Sequence, residues 1–367
     1  MEEKTFISSL VPRSDHNGGS KIGRWLLPIF AVVVSFGLSG LFIVFTRTSP
    51  IVGYRELLAA GFGCRAPENC ALLTTLQFAT PLLLTGLSAV VAFRAGVFSI
   101  GQAGQMILGA AAAAWVSTSF ELPYFLHIIF AFGAGILFGA VWGWFPGMLK
   151  AYLNVNEIIS TLLMNQLSMF AVGFLRFGWG TVPLRIPPLA RNTKLNIGLL
   201  IALITAVLVF VFLRRYRLGF EQRMAGDSPR FAFAGGIKHR RAIMRAMFIS
   251  GGIAGLAGAI EVLGVHYRFT PVFSGGGGFD GIAVALLGLV SPLGIPIAAF
   301  LLAGLRLGAT NGLQLKAHVP RELGGAIIAM MIILVSTRGL YADAITRMET
   351  WAIRGHNRVK KLLQMEP

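Results

Sequence analysis

The chain has 367 residues, of which 55% are hydrophobic and 13% are charged, and its mean hydropathy is +0.72. This composition excludes a soluble domain with a large core and predicts an all-α integral membrane protein. The formal net charge of +17 raises the question of nucleic-acid binding. We expect no nucleic acid as partner, because the bases lie mostly in predicted loops and not on a soluble module with interleaved stacking aromatics.

The chain begins with a polar arm, residues 1–22, followed by a predicted first span at 25–45. We interpret that span as retained and not as a cleaved signal peptide, because it is long enough to cross the bilayer. Residues 46–69 form a predicted polar loop that contains Cys64 and ends just before Cys70. In an extracytoplasmic loop the two cysteines would close a small disulfide ring, and free buried thiols are the alternative.

A second span at about 80–93 ends at Arg94 and is followed by the run AGVFSIGQAGQ. Glycines interrupt the apolar pattern here, while Ser99, Gln102 and Gln105 bring hydrogen-bonding groups to a depth where unsatisfied polar atoms are costly. A broken helix that lines a polar cavity explains both features. The alternative is a cytoplasmic reversal whose glycines serve packing.

Two spans at about 106–116 and 127–149 precede a polar helix face. Glu157, Thr161, Asn165 and Ser168 recur at spacings of four, four and three residues, which places them on one side of a helix. Such a face should contact protein or water, not lipid. The spacing fits two interpretations equally, a polar pathway or hydrogen bonds between helices.

The second half of the chain is predicted to hold five more spans. A proline-containing extracytoplasmic loop at 176–196 leads to a sixth span at 197–213, and a seventh at 246–265 carries Glu261. The eighth and ninth must fit into the glycine- and proline-broken stretch 275–309, with Asp280 at its mouth. A tenth, at about 323–335, precedes a basic tail at 338–367. Residues 23–337 thus form one transmembrane domain.

A basic loop at 214–245 separates the sixth and seventh spans. Nine Lys and Arg residues there face only Glu221 and Asp227, so the loop should stay on the cytoplasmic side. Ser228 as N-cap, Pro229 at the first helical position and Gly235 as a stop predict a short helix within the loop. This helix presents phenylalanines either to a partner protein or to lipid headgroups.

Charge distribution indicates the orientation of the chain. With both termini in the cytoplasm, 20 of the 32 Lys and Arg residues fall on that side, which agrees with the positive-inside rule. The runs GVFSIGQAG and PVFSGGGGFDG each follow a long span and precede a glycine-rich one. They predict an inverted internal repeat, a plan that recurs in membrane transporters built around broken helices.

Four runs, AFRAGVFSIGQAGQMILGA, KAYLNVNEIISTLLMNQ, RMAGDSPRFAFAGGIKHRRAIMRAMFISGGIAGLAGAIEVLG and GFDGIAVALLGLVSPLGIPIAAFLLAGLRLGA, carry a family resemblance. The chain resembles the permease subunits of bacterial ATP-binding-cassette importers for nucleosides and simple sugars, from about residue 82 to 339. The resemblance implies a multi-pass protein of the bacterial plasma membrane that pairs with a second permease, as a heterodimer or homodimer. It also implies an ATPase subunit and an extracytoplasmic substrate-binding lipoprotein as partners, besides membrane lipids.

The resemblance makes the short helix in the basic loop the coupling helix that contacts the ATPase. Because Phe231 and Phe233 diverge by about 200° on a helix, we expect one to enter the ATPase and the other to pack on the permease. The coupling residues of this hypothesis are Asp227, Ser228, Pro229, Arg230, Phe231, Phe233 and Gly235.

The predicted substrate pathway combines the first glycine-rich break, the polar helix face and the mouth of the second break. Its candidate residues are Phe98, Ser99, Gln102, Gln105, Asn156, Glu157, Thr161, Asn165, Ser168, Phe279 and Asp280. By resemblance the first choice of substrate is a nucleoside, followed by simple sugars and riboflavin.

The chain is expected to be a transport subunit and not an enzyme. It contains no GxxxxGK[ST] phosphate-binding loop, so ATP and Mg²⁺ should bind to the partner ATPase, and we expect no metal or cofactor on this chain. The alternative is an ion-coupled secondary transporter that uses the intramembrane carboxylates Glu157, Glu261 and Asp280.

Overall fold

The computed structural model describes residues 49–64, 70–175, 180–189, 194–270 and 277–315, together with positions 37, 40, 44, 325, 326 and 329. The described part is mainly helical. Its helices are α1 (Pro50–Phe62), α2 (Ala71–Arg94), α3 (Gln102–Ser119), α4 (Tyr124–Leu153), α5 (Glu157–Leu175), α6 (Gly198–Arg215), α7 (Arg217–Asp227), α8 (Pro229–Ala234), α9 (His239–Glu261), α10 (Gly277–Leu287) and α11 (Ile295–Leu307). Two of them continue as π-helix, α9 through Val262–His266 and α11 through Gly308–Gln314.

Six of these helices, α2, α4, α5, α6, α9 and α11, are long and apolar enough to cross a membrane, the last two counted with their π-helical ends. The prediction of an all-α membrane protein is therefore confirmed. The count of ten spans stays a prediction, because the tenth span and nearly all of the first lie outside the described residues. The predicted loop at 46–69 was wrong in part, since α1 occupies Pro50–Phe62 with a proline at its start.

Helix α9 lies at the centre of the bundle and packs on α2, α3 and α4. Glycines let the backbones meet: a Cβ on Gly255 would overlap the carbonyl oxygen of Gly135, and one on Gly109 would overlap Gly255. Close approach of this kind is how membrane helices gain packing energy without a hydrophobic driving force between them. A buried bond from Ser250 Oγ to Ser88 O, 2.8 Å long, ties α9 to α2.

The first glycine-rich interruption is real. Helix α2 ends at Arg94, Gly96 adopts a left-handed φ of 75°, and residues 97–100 run without helix until α3 begins at Gln102. The chain therefore breaks where the sequence predicted it. Helix α3 is almost entirely buried.

The second interruption meets the first. A Cβ on Gly278, in the first turn of α10, would overlap Ala103 in the first turn of α3. After α10 the chain reverses through Leu289 and Val290, both at positive φ, into α11. Residues 277–314 therefore hold two helices, of which α11 with its π-helical end is long and apolar enough to cross a membrane, whereas α10 is a shorter apolar helix. The inverted relation between the two halves remains a prediction.

One end of the bundle, here called the basic end, carries α7 and α8. The sequence predicted only α8 in this region. Helix α7 forms because it docks on the end of α2: Gln222 Nε2 donates a 2.6 Å bond to Val91 O, and Gly226 lies against Gly96. An amphipathic segment of this length gains its stability mainly from such packing.

The opposite end holds the irregular segments. Strand β1 (Gly180–Thr181) pairs antiparallel with β2 (Arg268–Phe269), which joins the predicted loop at 176–196 to the end of α9. Cys64 and Cys70 form a disulfide, which decides between the two alternatives of the sequence analysis. Apart from β1, the loop at 176–196 is irregular in its described part, as its prolines predicted.

The glycine contacts of α9 generate a prediction with an internal control. Gly255→Val should destabilise the protein by about 3 kcal/mol, because the new side chain overpacks backbone that has no room to move. Gly133→Val on α4 should be neutral, since a Cβ there meets nothing within 4 Å. Thermal midpoints and recovery of monodisperse protein in detergent measure both. Equal behaviour of the two variants would contradict the close-packing account.

Candidate functional site

The polar face of α5 is bonded to the first interruption. Asn165 Nδ2 donates to Ile100 O at 2.8 Å, and Asn165 Oδ1 accepts from the Gly104 N–H at 2.8 Å. Thr161 Oγ1 accepts from the Ile100 N–H at 3.2 Å. Two side chains of α5 thus form hydrogen bonds with backbone groups that the break between α2 and α3 leaves without a helical partner.

These contacts bear on the two interpretations of the polar face. Thr161, Asn165 and Ser168 are all buried, and Ser168 Oγ donates to Asn165 O at 2.6 Å. Asn156 is a capping residue, because its Oδ1 accepts the Ile158 N–H at 2.9 Å in the first turn of α5. Thr161 and Asn165 bond to another element, whereas the bonds of Ser168 and Asn156 stay within α5 and its N-cap. The geometry therefore favours a structural role for these four residues.

Gln102 and Gln105 differ from that group. Both are buried in the first turn of α3, and Gln102 Nε2 donates to Ser99 O at 3.2 Å. Their Oε1 atoms have no hydrogen-bond partner among the described residues. Such buried acceptors are rare and normally meet water or a ligand. They are the polar groups of the first interruption that remain available. Phe98 stacks on Phe93, with ring centroids 4.7 Å apart, and Ser99 is buried.

An ion pair stands on the exposed face of α10 and α11. Arg306 Nη2 donates to Asp280 Oδ1 at 2.6 Å, and Arg306 Nη1 contacts Asp280 Oδ2. The Arg306 side chain is 45% exposed, and Phe279 beside the pair is also exposed. Charged side chains are costly in contact with lipid, so water or another protein should cover this face. Arg306 is not among the predicted pathway residues, although a single arginine inside LLAGLRLGA was a usable signal.

The remaining carboxylates of the ion-coupled alternative are also paired. Glu157 Oε2 lies 2.7 Å from Lys150 Nζ, and Glu261 Oε1 lies 3.2 Å from His266 Nε2. With Asp280 held by Arg306, every carboxylate that this alternative uses faces a cationic or protonatable partner. The arrangement therefore does not favour a proton- or cation-driven mechanism.

Helix α8 has the predicted bounds. Pro229 starts it, the Gly235 N–H bonds to Phe231 O at 2.9 Å, and Gly236 follows at a φ of 75°. Ser228 occupies the N-cap position, although its side chain makes no capping bond. Asp227 and Arg230 are exposed.

The expectation that one phenylalanine packs on the bundle was wrong. Phe231 is 64% exposed and Phe233 is 81% exposed, and the residue that packs inward is Ala232. A six-residue helix has room for only one inward position, and the small alanine lets it sit close. Both aromatic side chains are therefore exposed, one on each side of the inward-facing Ala232.

Helix α7 links α8 to the first interruption. Besides the contacts that α7 makes to the end of α2, it carries Glu221. This carboxylate pairs with Arg245 of α9 at 2.6 Å and with Arg217 of α7 at 3.3 Å. The hydrogen bond from Arg245 holds the pKa of Glu221 below its usual value. This pairing joins α7 to the first turns of α9.

Comparisons with known proteins identify the family of the chain. Residues 71–336 match the profile of a family described as the permease component of branched-chain amino acid transport systems. A guanosine ABC transporter permease protein of Bacillus subtilis is 34% identical over 86% of this chain and 94% of its own length. A nucleoside ABC transporter permease protein of Lactococcus lactis is 30% identical over 93% and 98%.

A third relative, a glucose ABC transporter permease protein of Haloferax volcanii, is 30% identical over 86% of this chain and 89% of its own length. No solved structure matches the chain significantly.

The bonds of Asn165 lead to a prediction about stability. Asn165→Leu should lower the thermal midpoint, because it leaves a buried N–H and a buried carbonyl unpaired at a cost of about 1–3 kcal/mol each. Gln166→Leu, on the exposed side of the same helix, should leave the midpoint unchanged or raise it. A normal midpoint for Asn165→Leu together with lost transport would instead assign Asn165 to a polar pathway.

Proposed function

The chain belongs to the permease family of branched-chain amino acid transport systems, and we propose that it is the permease subunit of an ABC importer for nucleosides. Two relatives that match nearly their whole length carry a nucleoside or guanosine in their names. The glucose relative matches less of its own length and is the reason to test sugars as competitors.

The Asp280–Arg306 pair is the structural observation that supports a polar route along this chain. A bidentate ion pair on the exposed side of apolar helices is expensive in lipid and inexpensive beside water or a second subunit. We infer that this face of α10 and α11 lines the route where two permease subunits meet. Thr310, one turn beyond Arg306 and also exposed, extends the polar strip.

The free acceptors of Gln102 and Gln105 lie near the same route. They belong to the first turn of α3, against which the first turn of α10 packs. Interrupted helices that converge in this way commonly bind substrate in membrane transporters. A nucleoside offers hydroxyl and ring N–H donors that can form hydrogen bonds with these acceptors. The bonds must be transient for the nucleoside to pass.

Energy must come from another polypeptide in this proposal. The basic end faces the cytoplasm, as the distribution of Lys and Arg predicts. The ATPase grips Phe231 and Phe233, and its motion passes through α7 to the end of α2 and the first interruption. A second permease subunit completes the route, and an extracytoplasmic binding protein delivers the substrate at the opposite end.

Uptake of labelled guanosine tests the substrate and the route together. Vesicles that contain this chain with its ATPase and second permease, with ATP inside and the binding protein outside, should accumulate guanosine, and excess adenosine should compete while glucose should not. Arg306→Gln should reduce uptake at least tenfold, because the Asp280 carboxylate loses its partner, whereas exposed Arg215→Gln should not. Competition by glucose alone would replace nucleosides by sugars. Full uptake by the Arg306 variant would remove this face from the route.

Coupling predicts the behaviour of a double variant. Phe231→Ala with Phe233→Ala should leave the protein folded but release the ATPase, because each buried aromatic anchor contributes about 2 kcal/mol or more at an interface. Phe125→Ala with Phe174→Ala removes equally exposed rings elsewhere and is the control. Co-purification and substrate-stimulated ATP hydrolysis are the measurements. Normal stoichiometry and turnover in the first variant would exclude α8 as the coupling helix.

A further inference from the structure

An open pocket of about 850 Å³ lies at the basic end, between α4, α7, the α8–α9 turn and the first turns of α9. None of the candidate pathway or coupling residues lines it. Its rim carries four cationic side chains, Arg217, Lys238, Arg241 and Arg245, and one carboxylate, Glu221. The pocket is therefore a concentrated positive site beside a membrane-spanning bundle.

The four cations are not equivalent. Arg245 is engaged by Glu221 at 2.6 Å, and Arg217 shares that carboxylate at 3.3 Å while remaining 90% exposed. Lys238 and Arg241 are exposed and form no ion pair within the described residues. Two to three positive charges are thus left without compensation at the rim.

The wall of the pocket is apolar and faces outward. Trp144 of α4 and Phe248 of α9 are both partly exposed there, and Ile249 also lines the pocket. Ile249 lies eight residues after the rim residue Arg241 on α9, a rise of about 12 Å along the helix axis. The side chains Phe145 and Val141 continue the exposed apolar surface along α4. The pocket therefore joins a basic rim to a surface of membrane-spanning helices.

We propose that this pocket is a binding site for an anionic phospholipid. The phosphodiester would contact Lys238 and Arg241 at the rim, and an acyl chain would follow the wall between Trp144 and Phe248. A basic rim at headgroup level above an apolar groove is the arrangement expected for such lipids, and tryptophan is common at this depth. A soluble anion would use the rim but not the wall.

The occupant would also tie together elements that move in coupling. Arg217 belongs to α7, while Lys238 lies in the turn between α8 and α9, four residues after α8 ends. A phosphodiester between them neutralises charges that otherwise repel one another across the pocket. The site thus stabilises one position of α8 relative to α9. Lipid binding itself does not depend on the proposed transport function.

Native mass spectrometry of the full-length chain tests the proposal. Released from mixed micelles with equal amounts of palmitoyl-oleoyl phosphatidylglycerol and the phosphatidylcholine of the same chains, the protein should retain the anionic lipid at least tenfold more. Lys238→Gln with Arg241→Gln should bring the two lipids close to equal retention, because each cation near a headgroup contributes about fivefold and the two together about thirtyfold. The selectivity is read only from folded protein, so reduced yield does not affect it.

Two controls separate this site from general attraction. Arg214→Gln with Arg215→Gln removes the same charge from the end of α6, outside the pocket, and should leave the preference intact. Glycerophosphoglycerol, the headgroup without acyl chains, should not displace the lipid when present at the same concentration.

Four results would overturn the proposal. The first is equal retention of the two lipids, and the second is an equal loss in the pocket and control variants. The third is full displacement of the lipid by glycerophosphoglycerol, which would reduce the pocket to an anion site. Loss of bound lipid when the ATPase assembles would also overturn it, since the pocket would then seat protein.

Discussion

The need to satisfy backbone hydrogen bonds inside a membrane governs this structure. Between α2 and α3 the helix stops, and the backbone of residues 97–101 cannot turn to water for partners. Asn165 and Thr161 supply those partners from α5. The polar face of α5 and the glycine-rich break are therefore one feature seen from two places in the chain. Without the amide of Asn165 the interruption would carry an uncompensated cost.

That arrangement explains how the interior divides its polar groups. The buried polar side chains of α5 are engaged in hydrogen bonds or an ion pair, whereas the Oε1 atoms of Gln102 and Gln105 have no partner among the described residues. Charges follow a similar division. Glu157 is buried with Lys150, while Asp280 and Arg306 meet on an exposed face. The acceptors of Gln102 and Gln105 and the exposed ion pair are therefore the places where a substrate or a second subunit can supply a contact.

At the basic end, α7 and α8 are connected to the membrane-spanning helices. Helix α8 offers two aromatic side chains outward, and α7 joins it to α2 through Gln222 and to α9 through Glu221. The same elements frame the amphipathic pocket. The pocket is a property of how α4, α7 and α9 meet.

Local sequence signals determined the membrane class, the break after Arg94 and the bounds of α8, because hydropathy, glycine and proline act over a few residues. The sequence also identified Asn165 and Gln105 as notable, but their spacing alone left pathway and interhelical bonding open. Only tertiary structure decided that Asn165 bonds the break, that Asp280 pairs with Arg306, and that α1 and α7 are helical. Each of these depends on contacts between residues far apart in the chain, and a short segment carries no record of the partner that will satisfy it.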